Sequence, residues 1–172
     1  MHKHFICLLL EFFIYVGCTQ IQSNVKTVQS SLPACNSDFE DASHLGLGRI
    51  LLKKTKRIEY RNAVTFCQQR NSLPVEIESE EQMTYVRNKL KDLGEDTDGK
   101  TVVWCGGASD HNSEGTWKWS QSGKKVEDFV WGKNEPVSHD GHNFLGFSGF
   151  REFSGAAIDS ARKCYPLCQQ KM

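Results

Sequence analysis

The run Glu135-Pro136-Val137-Ser138-His139-Asp140-Gly141-His142-Asn143 holds most of the side chains with which this chain could do chemistry. Two imidazoles, His139 and His142, stand beside the carboxylates of Glu135 and Asp140, and imidazole nitrogens suit zinc better than they suit a hard cation. Histidines in a Gly-Asp setting are ordinarily polar turn residues, so zinc titration by calorimetry separates the two readings. Glu135 taken with Asp159 could imitate the paired carboxylates of a glycoside hydrolase. A cysteine nucleophile would need an exposed thiol of lowered pKa beside a base, and most cysteines here look structural.

Those seven cysteines fall at positions 7, 18, 35, 67, 105, 164 and 168. Residues 1–18 read as a signal peptide: His2, Lys3 and His4 precede an apolar run from Phe5 to Val16, and Val16-Gly17-Cys18 is small-residue cleavage context. The run is shorter than the roughly 20 apolar residues of a membrane span and carries Glu11, so no membrane insertion is expected. The protein should be secreted and extracellular. Cleavage after Cys18 leaves five cysteines, an odd number, which in an oxidising compartment suggests a free thiol or a bridge to another chain. Residues 19–34 are rich in Gln, Ser, Thr and Asn, cannot bury enough apolar surface to fold alone, and read as a flexible linker. The remainder, residues 35–172, is about one domain by size. Lys+Arg and Asp+Glu both number 21, and the leader removes one of each sign, so no net field steers the mature chain toward nucleic acid.

The elements that must position these groups can be read from spacing. Tyr60, Ala63, Val64 and Cys67 recur at i, i+3, i+4 and i+7, one apolar helix face that points Cys67 into the core, where it should be bridged. Leu73, Val75 and Ile77 alternate with Pro74, Glu76 and Glu78 as a short half-buried strand. Ser79 then caps a second helix, Gln82 completes a capping box, and Met83, Val86 and Leu90 form the buried stripe. Residues 92–100 are Gly- and Asp-rich and read as a loop. Ile50-Leu51-Leu52 reads as a strand whose following lysines mark a solvated edge. Beyond Thr101 the pattern changes to short strands and turns, among them Gln121-Ser122-Gly123-Lys124. Helices before a β-rich half give α+β rather than a doubly wound sheet. Three tryptophans, 104, 117 and 119, lie within sixteen residues, and each must bury a large ring while its N–H finds a partner. Phe144, Phe147, Phe150 and Phe153 recur every third residue, and core packing is preferred for them over an exposed partner surface.

These motifs, in this order, resemble the C-type lectin-like domain family as secreted, single-domain invertebrate members write it, over roughly Cys35 to Cys168. Tyr60, Ala63 and Cys67 resemble its first-helix pattern, and Leu73 through Ile77 with Ser79, Glu80 and Glu81 its second-helix entry. Trp104-Cys105-Gly106 is similar to its Trp-Ile-Gly signature, with cysteine for the aliphatic residue. Asp110, Glu114-Gly115 and Trp117-Lys118-Trp119 resemble its Asp, Glu-Gly and Trp-X-Trp run. Trp131 followed by Glu135-Pro136 resembles its long loop, and Tyr165-Pro166-Leu167-Cys168 its closing strand.

The resemblance implies an α+β fold in which two helices flank small antiparallel sheets and a long loop carries the ligand site. It implies a disulfide between Cys67 and Cys168. The family's second bridge does not carry over, because Phe144 stands where its first cysteine belongs, so Cys35, Cys105 and Cys164 compete. Cys105 with Cys164 is favoured, leaving Cys35 unpaired or joined to another molecule, as in a disulfide-linked homodimer. The implied cofactor is calcium, which wants about six to eight oxygens. The implied Glu-Pro-Asn tripeptide is here Glu135-Pro136-Val137, and valine offers no oxygen. The Trp-Asn-Asp motif becomes Ala157-Ile158-Asp159. Glu135 and Asp159 are the metal ligands that survive, and two anions without a metal are most easily left solvated. The implied loop face comprises Trp131, Glu135, His139, Asp140, His142 and Asn143, and the implied partner is a glycan or glycoprotein. Three readings of function remain open: a calcium-independent lectin-like binding module, which is preferred; a calcium-dependent lectin with a rewired site; and, as the remote one, a small hydrolase. The family favours binding, so no enzyme is expected.

Overall fold

The computed structural model describes residues 38–52, 54, 56–93, 102–111, 115–137 and 141–171; the leader, the linker, Cys35, Glu114, His139 and Asp140 lie outside them. Helix α1 spans Tyr60–Gln68 and buries Tyr60, Ala63 and Cys67, while Val64 on its flank is half-buried. Helix α2 spans Glu80–Leu93 and buries Gln82, Met83, Val86 and Leu90. Its start departs from a simple capping box. Ser79 Oγ accepts from the Gln82 N–H at 3.2 Å, but Gln82 Oε1 reaches one residue further back, to the Glu78 N–H at 2.6 Å. The same carboxamide donates to the Leu45 carbonyl at 2.8 Å, so one side chain both closes the helix end and ties it to the preceding turn.

Ten strands are described: β1 Phe39–Asp41, β2 Arg49–Leu51, β3 Ile58–Glu59, β4 Leu73–Pro74, β5 Val103–Ser109, β6 Lys118–Trp119, β7 Phe144–Ser148, β8 Ser154–Ile158, β9 Lys163–Pro166 and β10 Cys168–Gln170. They form a four-stranded sheet in the order β1-β2-β10-β4 and a six-stranded sheet along β3-β9-β5-β7-β8, with β6 also on β5. All pairings are antiparallel except β5 with β9. The fold is therefore α+β. Strand β2 lies between β1 and β10, which corrects the expectation of an edge: its Ile50 and Leu51 are buried in an inner strand and the lysines follow outside it.

The core sits between α2 and the two sheets, around Trp104, Trp119, Leu145, Phe147 and Leu167. Trp117 and Trp119 are both buried while Lys118 between them is exposed, as period-two packing requires. Trp104 is fully buried against Tyr165, with ring centroids 5.2 Å apart, yet its Nε1–H has no hydrogen-bond partner. The expectation that every indole N–H is satisfied fails there, and the structure offers no compensation. Gly107 marks a close backbone approach. A Cβ at this position would lie 2.6 Å from the Val75 carbonyl oxygen and 2.8 Å from that of Pro74. Removing the side chain lets the Gly107 N–H donate to that Val75 oxygen at 2.9 Å, stitching β5 to the chain beyond β4.

Two expected patterns do not hold. The Leu73–Ile77 stretch is not a half-buried alternating strand: Leu73 is 36 % exposed whereas Glu76 is 1 % exposed, and only Leu73–Pro74 pairs. The reason is that Glu76 Oε1 accepts from the Gln121 and Ser122 N–H groups, at 2.6 and 3.2 Å, so an inward carboxylate organises the 121–124 turn. The phenylalanines also divide. Phe147 and Phe153 are buried and Phe144 half-buried, but Phe150 is 67 % exposed.

Two disulfides join the described cysteines. Cys67–Cys168 ties α1 to β10, and Cys105–Cys164 ties β5 to β9, each with Cα atoms 5.5 Å apart. The second bridge spans the parallel pairing diagonally, since Trp104 lies opposite Tyr165 and Cys105 opposite Pro166, two residues beyond Cys164. Phe144 packs into the same cluster, its ring 4.4 Å from that of Tyr60. An aromatic ring thus occupies the strand start, and the cross-link sits deeper in the sheet.

Candidate ligand-binding loop

The chain between β5 and β7 forms a long loop whose two ends are tied together. The Asp110 N–H donates to the Asn143 carbonyl at 2.9 Å, and Asp110 Oδ2 accepts from the Gly115 N–H at 2.7 Å. Further along, the Gly132 N–H donates to the Gly155 carbonyl at 2.8 Å, anchoring the loop on β8. A Cβ on Gly155 would meet the Val130 carbonyl oxygen at 2.9 Å, so glycine permits this contact. Trp131 beside it is half-buried and stands edge-on to Trp117, with centroids 4.8 Å apart. Its ring belongs to the underside of the loop as much as to its face.

Glu135 follows a turn closed by its own N–H on the Gly132 carbonyl at 3.0 Å and precedes Pro136 in a cis peptide bond. Its carboxylate is almost fully withdrawn, 7 % exposed, and both oxygens have donors. Oε2 accepts from the Val137 N–H at 3.0 Å and from the Ala157 N–H at 3.1 Å. Oε1 accepts from Arg151 Nη2 at 3.2 Å. The expectation of a solvated Glu135 is corrected: burying an anion is unfavourable unless it is paired, and a guanidinium supplies the pair.

Arg151 reaches Glu135 from the β7–β8 hairpin. That hairpin turns through a short 3-10 segment, Gly149–Arg151, and two consecutive non-glycine residues with positive φ, Glu152 at 53° and Phe153 at 59°. The neighbouring Phe150 ring lies 5.6 Å from the Arg151 guanidinium. Exposed ring, guanidinium and sunken carboxylate therefore stand in series across the loop face.

The other candidate residues are arranged differently. Asp159 Oδ1 accepts from the Ala161 N–H at 2.7 Å and so shapes the β8–β9 turn. His142 and Asn143 are half-buried at the loop's return, and Asn143 contributes its backbone carbonyl to the neck described above. Among the described residues, no three His, Cys, Asp or Glu side chains gather in a way that could hold a metal ion. The calcium implied by the fold meets a poor donor set. Val137 presents an apolar side chain, Asp159 is engaged in a turn, and both oxygens of Glu135 already have donors, one of them a permanent cation. These residues do not fit a site that needs about six to eight oxygens.

Sequence reasoning missed Arg151, and for Phe150 it preferred core packing over the exposed surface that the structure shows. The signal for Arg151 was available: a loop glutamate two residues before Val137, which offers no oxygen to share a metal, is an anion in need of a cation. Nothing in the spacing says which of the chain's arginines supplies it, because the hairpin brings Arg151 across from 16 residues away.

The architecture is one of two helices and two sheets carrying a tied long loop. A Lectin C-type domain model matches residues 56–144, just over half of the chain, and the chain belongs to that family. No curated relative matches the chain by sequence. Among solved structures it is similar to the C-type lectin CEL-I from Cucumaria echinata, at 20% identity over 79% of this chain and 96% of that one, with a TM-score of 0.62. It is similar to human lithostathine at 19% identity over 86% of this chain and 100% of that one, TM-score 0.64. A GlcNAc complex of SPL-1 shares 19% identity over 80% of this chain and 95% of that one, TM-score 0.64. At such identities the likeness is one of fold.

Proposed function

We propose that this protein is a secreted C-type lectin-like binding module that recognises a glycan or glycoprotein through its long-loop face without calcium. The observation that carries the proposal is the saturated Glu135 carboxylate: Arg151 Nη2 at 3.2 Å and the Val137 and Ala157 N–H groups hold it without any metal. Arg151 then serves two ends. One N–H fixes Glu135, and the guanidinium, 31 % exposed, keeps further donors for a ligand oxygen beside the exposed Phe150 ring. A ring next to donors of this kind suits a sugar, whose C–H face packs on the aromatic while its hydroxyls accept.

His142 and Asn143 lie at the return of the same loop, and Trp131 supports it from below. His139 and Asp140 belong to this proposed face by sequence alone. The SPL-1 complex with GlcNAc shares this fold, which favours a glycan as ligand. Binding rather than turnover is also favoured because the four described cysteines are all bridged and the Glu135 carboxylate is committed to structure. No described helix is long and apolar enough to cross a membrane. Cys35, outside the described residues, would then be a free thiol or the link of a homodimer, which non-reducing electrophoresis separates.

The deciding experiment is a glycan array probed with the intact protein in calcium and again in a chelator. Equal signals support the proposal. Loss of signal in the chelator overturns it, and product formation from any arrayed glycan overturns the assignment as a binding module.

A further inference from the structure

A cleft of about 300 Å³ opens at the β4 edge of the four-stranded sheet, between the end of α1, β10 and the 121–124 turn, and it shares no residue with the proposed face built on Trp131, Glu135, His142, Asn143, Phe150 and Arg151. Five of its eight lining side chains are carboxamides. Three of these are fixed at one end by the protein. Gln169 Oε1 accepts from the Glu76 N–H at 3.0 Å, Gln170 Nε2 donates to the Arg70 carbonyl at 2.9 Å, and Gln121 Nε2 donates to the Pro74 carbonyl at 3.3 Å. These partners settle which end of each amide is oxygen and which nitrogen. They also leave the opposite ends, Gln169 Nε2, Gln170 Oε1 and Gln121 Oε1, without protein partners. The result is a small set of donors and acceptors with fixed identity, which is how a polar ligand is met at low ordering cost.

The buried Glu76 builds this arrangement. Its N–H holds Gln169, and its Oε1 holds the Gln121 N–H at 2.6 Å. Its Oε2 is buried without a hydrogen-bond partner, and Lys171, which lines the cleft, stands 3.7 Å away. A charged ligand does not fit. The one cation at the rim, Lys171, already faces Glu76 and the Glu78 carboxylate at 3.1 Å. A peptide strand does not fit either: of the backbone acceptors at this edge, the Pro74 carbonyl is taken by Gln121 and the Val75 carbonyl by Gly107. What remains is neutral, amide-lined and bordered by Leu73, an apolar side chain 36 % exposed.

We propose that this cleft is a second, metal-independent binding site for a neutral saccharide, with hydroxyls meeting Gln121, Gln169 and Gln170 and the C–H face of the ring lying on Leu73. The site uses none of the residues of the proposed Glu135–Arg151 face. The test is a titration of the 15N-labelled protein with N-acetylglucosamine, galactose and mannose in a chelator, following the side-chain NH2 signals of Gln169 and Gln121 by NMR. At least one sugar should shift the Gln169 signal saturably. Gln121→Leu, on an exposed turn whose backbone bond to Glu76 is kept, should weaken that response about tenfold, as should Gln170→Leu. Glu135→Gln in the long loop should leave it unchanged. No shift of the Gln169 NH2 with any of the three sugars overturns the proposal, as does a shift that survives both leucine variants. Shifts confined to the backbone around Trp131 and Phe150 overturn it too, while leaving the long-loop reading intact.

Discussion

Replacing Arg151 with alanine isolates the cation on which the long loop rests. Breaking a buried ion pair by deleting one partner costs about 3–5 kcal/mol, whereas an exposed pair contributes about 0–1 kcal/mol. Here the two partners differ, Glu135 being 7 % exposed and Arg151 31 % exposed, with a single contact of 3.2 Å between them. The abandoned carboxylate keeps two backbone donors, from Val137 and Ala157. The loss should therefore fall between the two limits, at about 2 kcal/mol, which lowers the melting temperature of a domain this size by about 6–10 °C. Arg151→Lys keeps the charge but loses the planar fork, and should recover part of that. The assay is thermal unfolding of wild type and both variants, each with calcium and with chelator. Calcium should shift none of the three curves, because the donors it needs are missing. A ligand bound at a hundredfold above its dissociation constant would add about 2.7 kcal/mol, so an effect could not be overlooked. Stabilisation of the wild type by calcium, or an Arg151→Ala melt equal to wild type, would refute the reasoning.

The two disulfides should differ little in what their reduction costs. Cys67–Cys168 encloses a sequence separation of 101 and Cys105–Cys164 one of 59, which the chain-entropy treatment converts to about 4.7 and 4.3 kcal/mol. Denaturant unfolding of paired Cys→Ala variants checks this, and a Cys105→Ala/Cys164→Ala protein as stable as wild type would contradict it. Gly107→Ala should be more damaging than Gly106→Ala: the first meets backbone oxygens at 2.6 and 2.8 Å, the second the side chains of Leu145 at 2.8 Å and Phe147 at 3.1 Å, which can shift more readily than backbone. Chemical denaturation should place the Gly107 variant at least about 2 kcal/mol below the Gly106 one. Alkaline pH should reveal Tyr85, whose phenol burial, the bond to Glu40 and that carboxylate's charge push up to about 12. A pKa raised in the folded state favours the neutral phenol, so its contribution is complete below about pH 10 and disappears as the pH climbs towards 12. Tyr85→Phe should flatten that part of the stability curve, and a wild-type minus Tyr85→Phe ultraviolet difference titration centred near 10 would contradict the assignment.

Helix α1 and the buried stripe of α2 were legible because they rest on local rules: a 3.6-residue period and an N-cap serine say the same thing, and packing agrees. The tryptophan pair at 117 and 119 was legible for the same reason, through period two. The Leu73–Ile77 stretch misled because its alternation is real but serves another purpose. Glu76 turns inward to hold the 121–124 turn, a demand set by a segment 45 residues away that no local window contains. Phe150 misled in the opposite sense. Its three companions pack inside, and only the positive-φ hairpin at Glu152 and Phe153 swings Phe150 and Arg151 outward to the loop. The candidate site was half-legible. Glu135 could be picked out by type and by its neighbour Pro136, but the partner that gives it meaning arrives through tertiary structure.

On the proposed calcium-free reading, Arg151 sets what such a loop can recognise. A bound calcium ion gathers its ligands at about 2.3–2.6 Å and can share open positions with two adjacent hydroxyls, so it selects for their mutual geometry. A guanidinium is planar, stays charged at any physiological pH, and donates along fixed directions. With one N–H on Glu135 Oε1, the other donors of the fork would be available to a ligand oxygen beside Phe150. Selection should then rest on acceptors that match a fork, such as a carboxylate or an acetamido carbonyl, more than on a vicinal diol. Affinity should fall with added salt for an acidic sugar and stay flat for a neutral one, since Coulomb attraction at an exposed face is screened within about 8–10 Å. A glycan array read at low and high ionic strength distinguishes the two. A diol-specific, salt-insensitive profile that vanishes with a chelator is the pattern a metal would leave, and it is incompatible with Arg151 in that position.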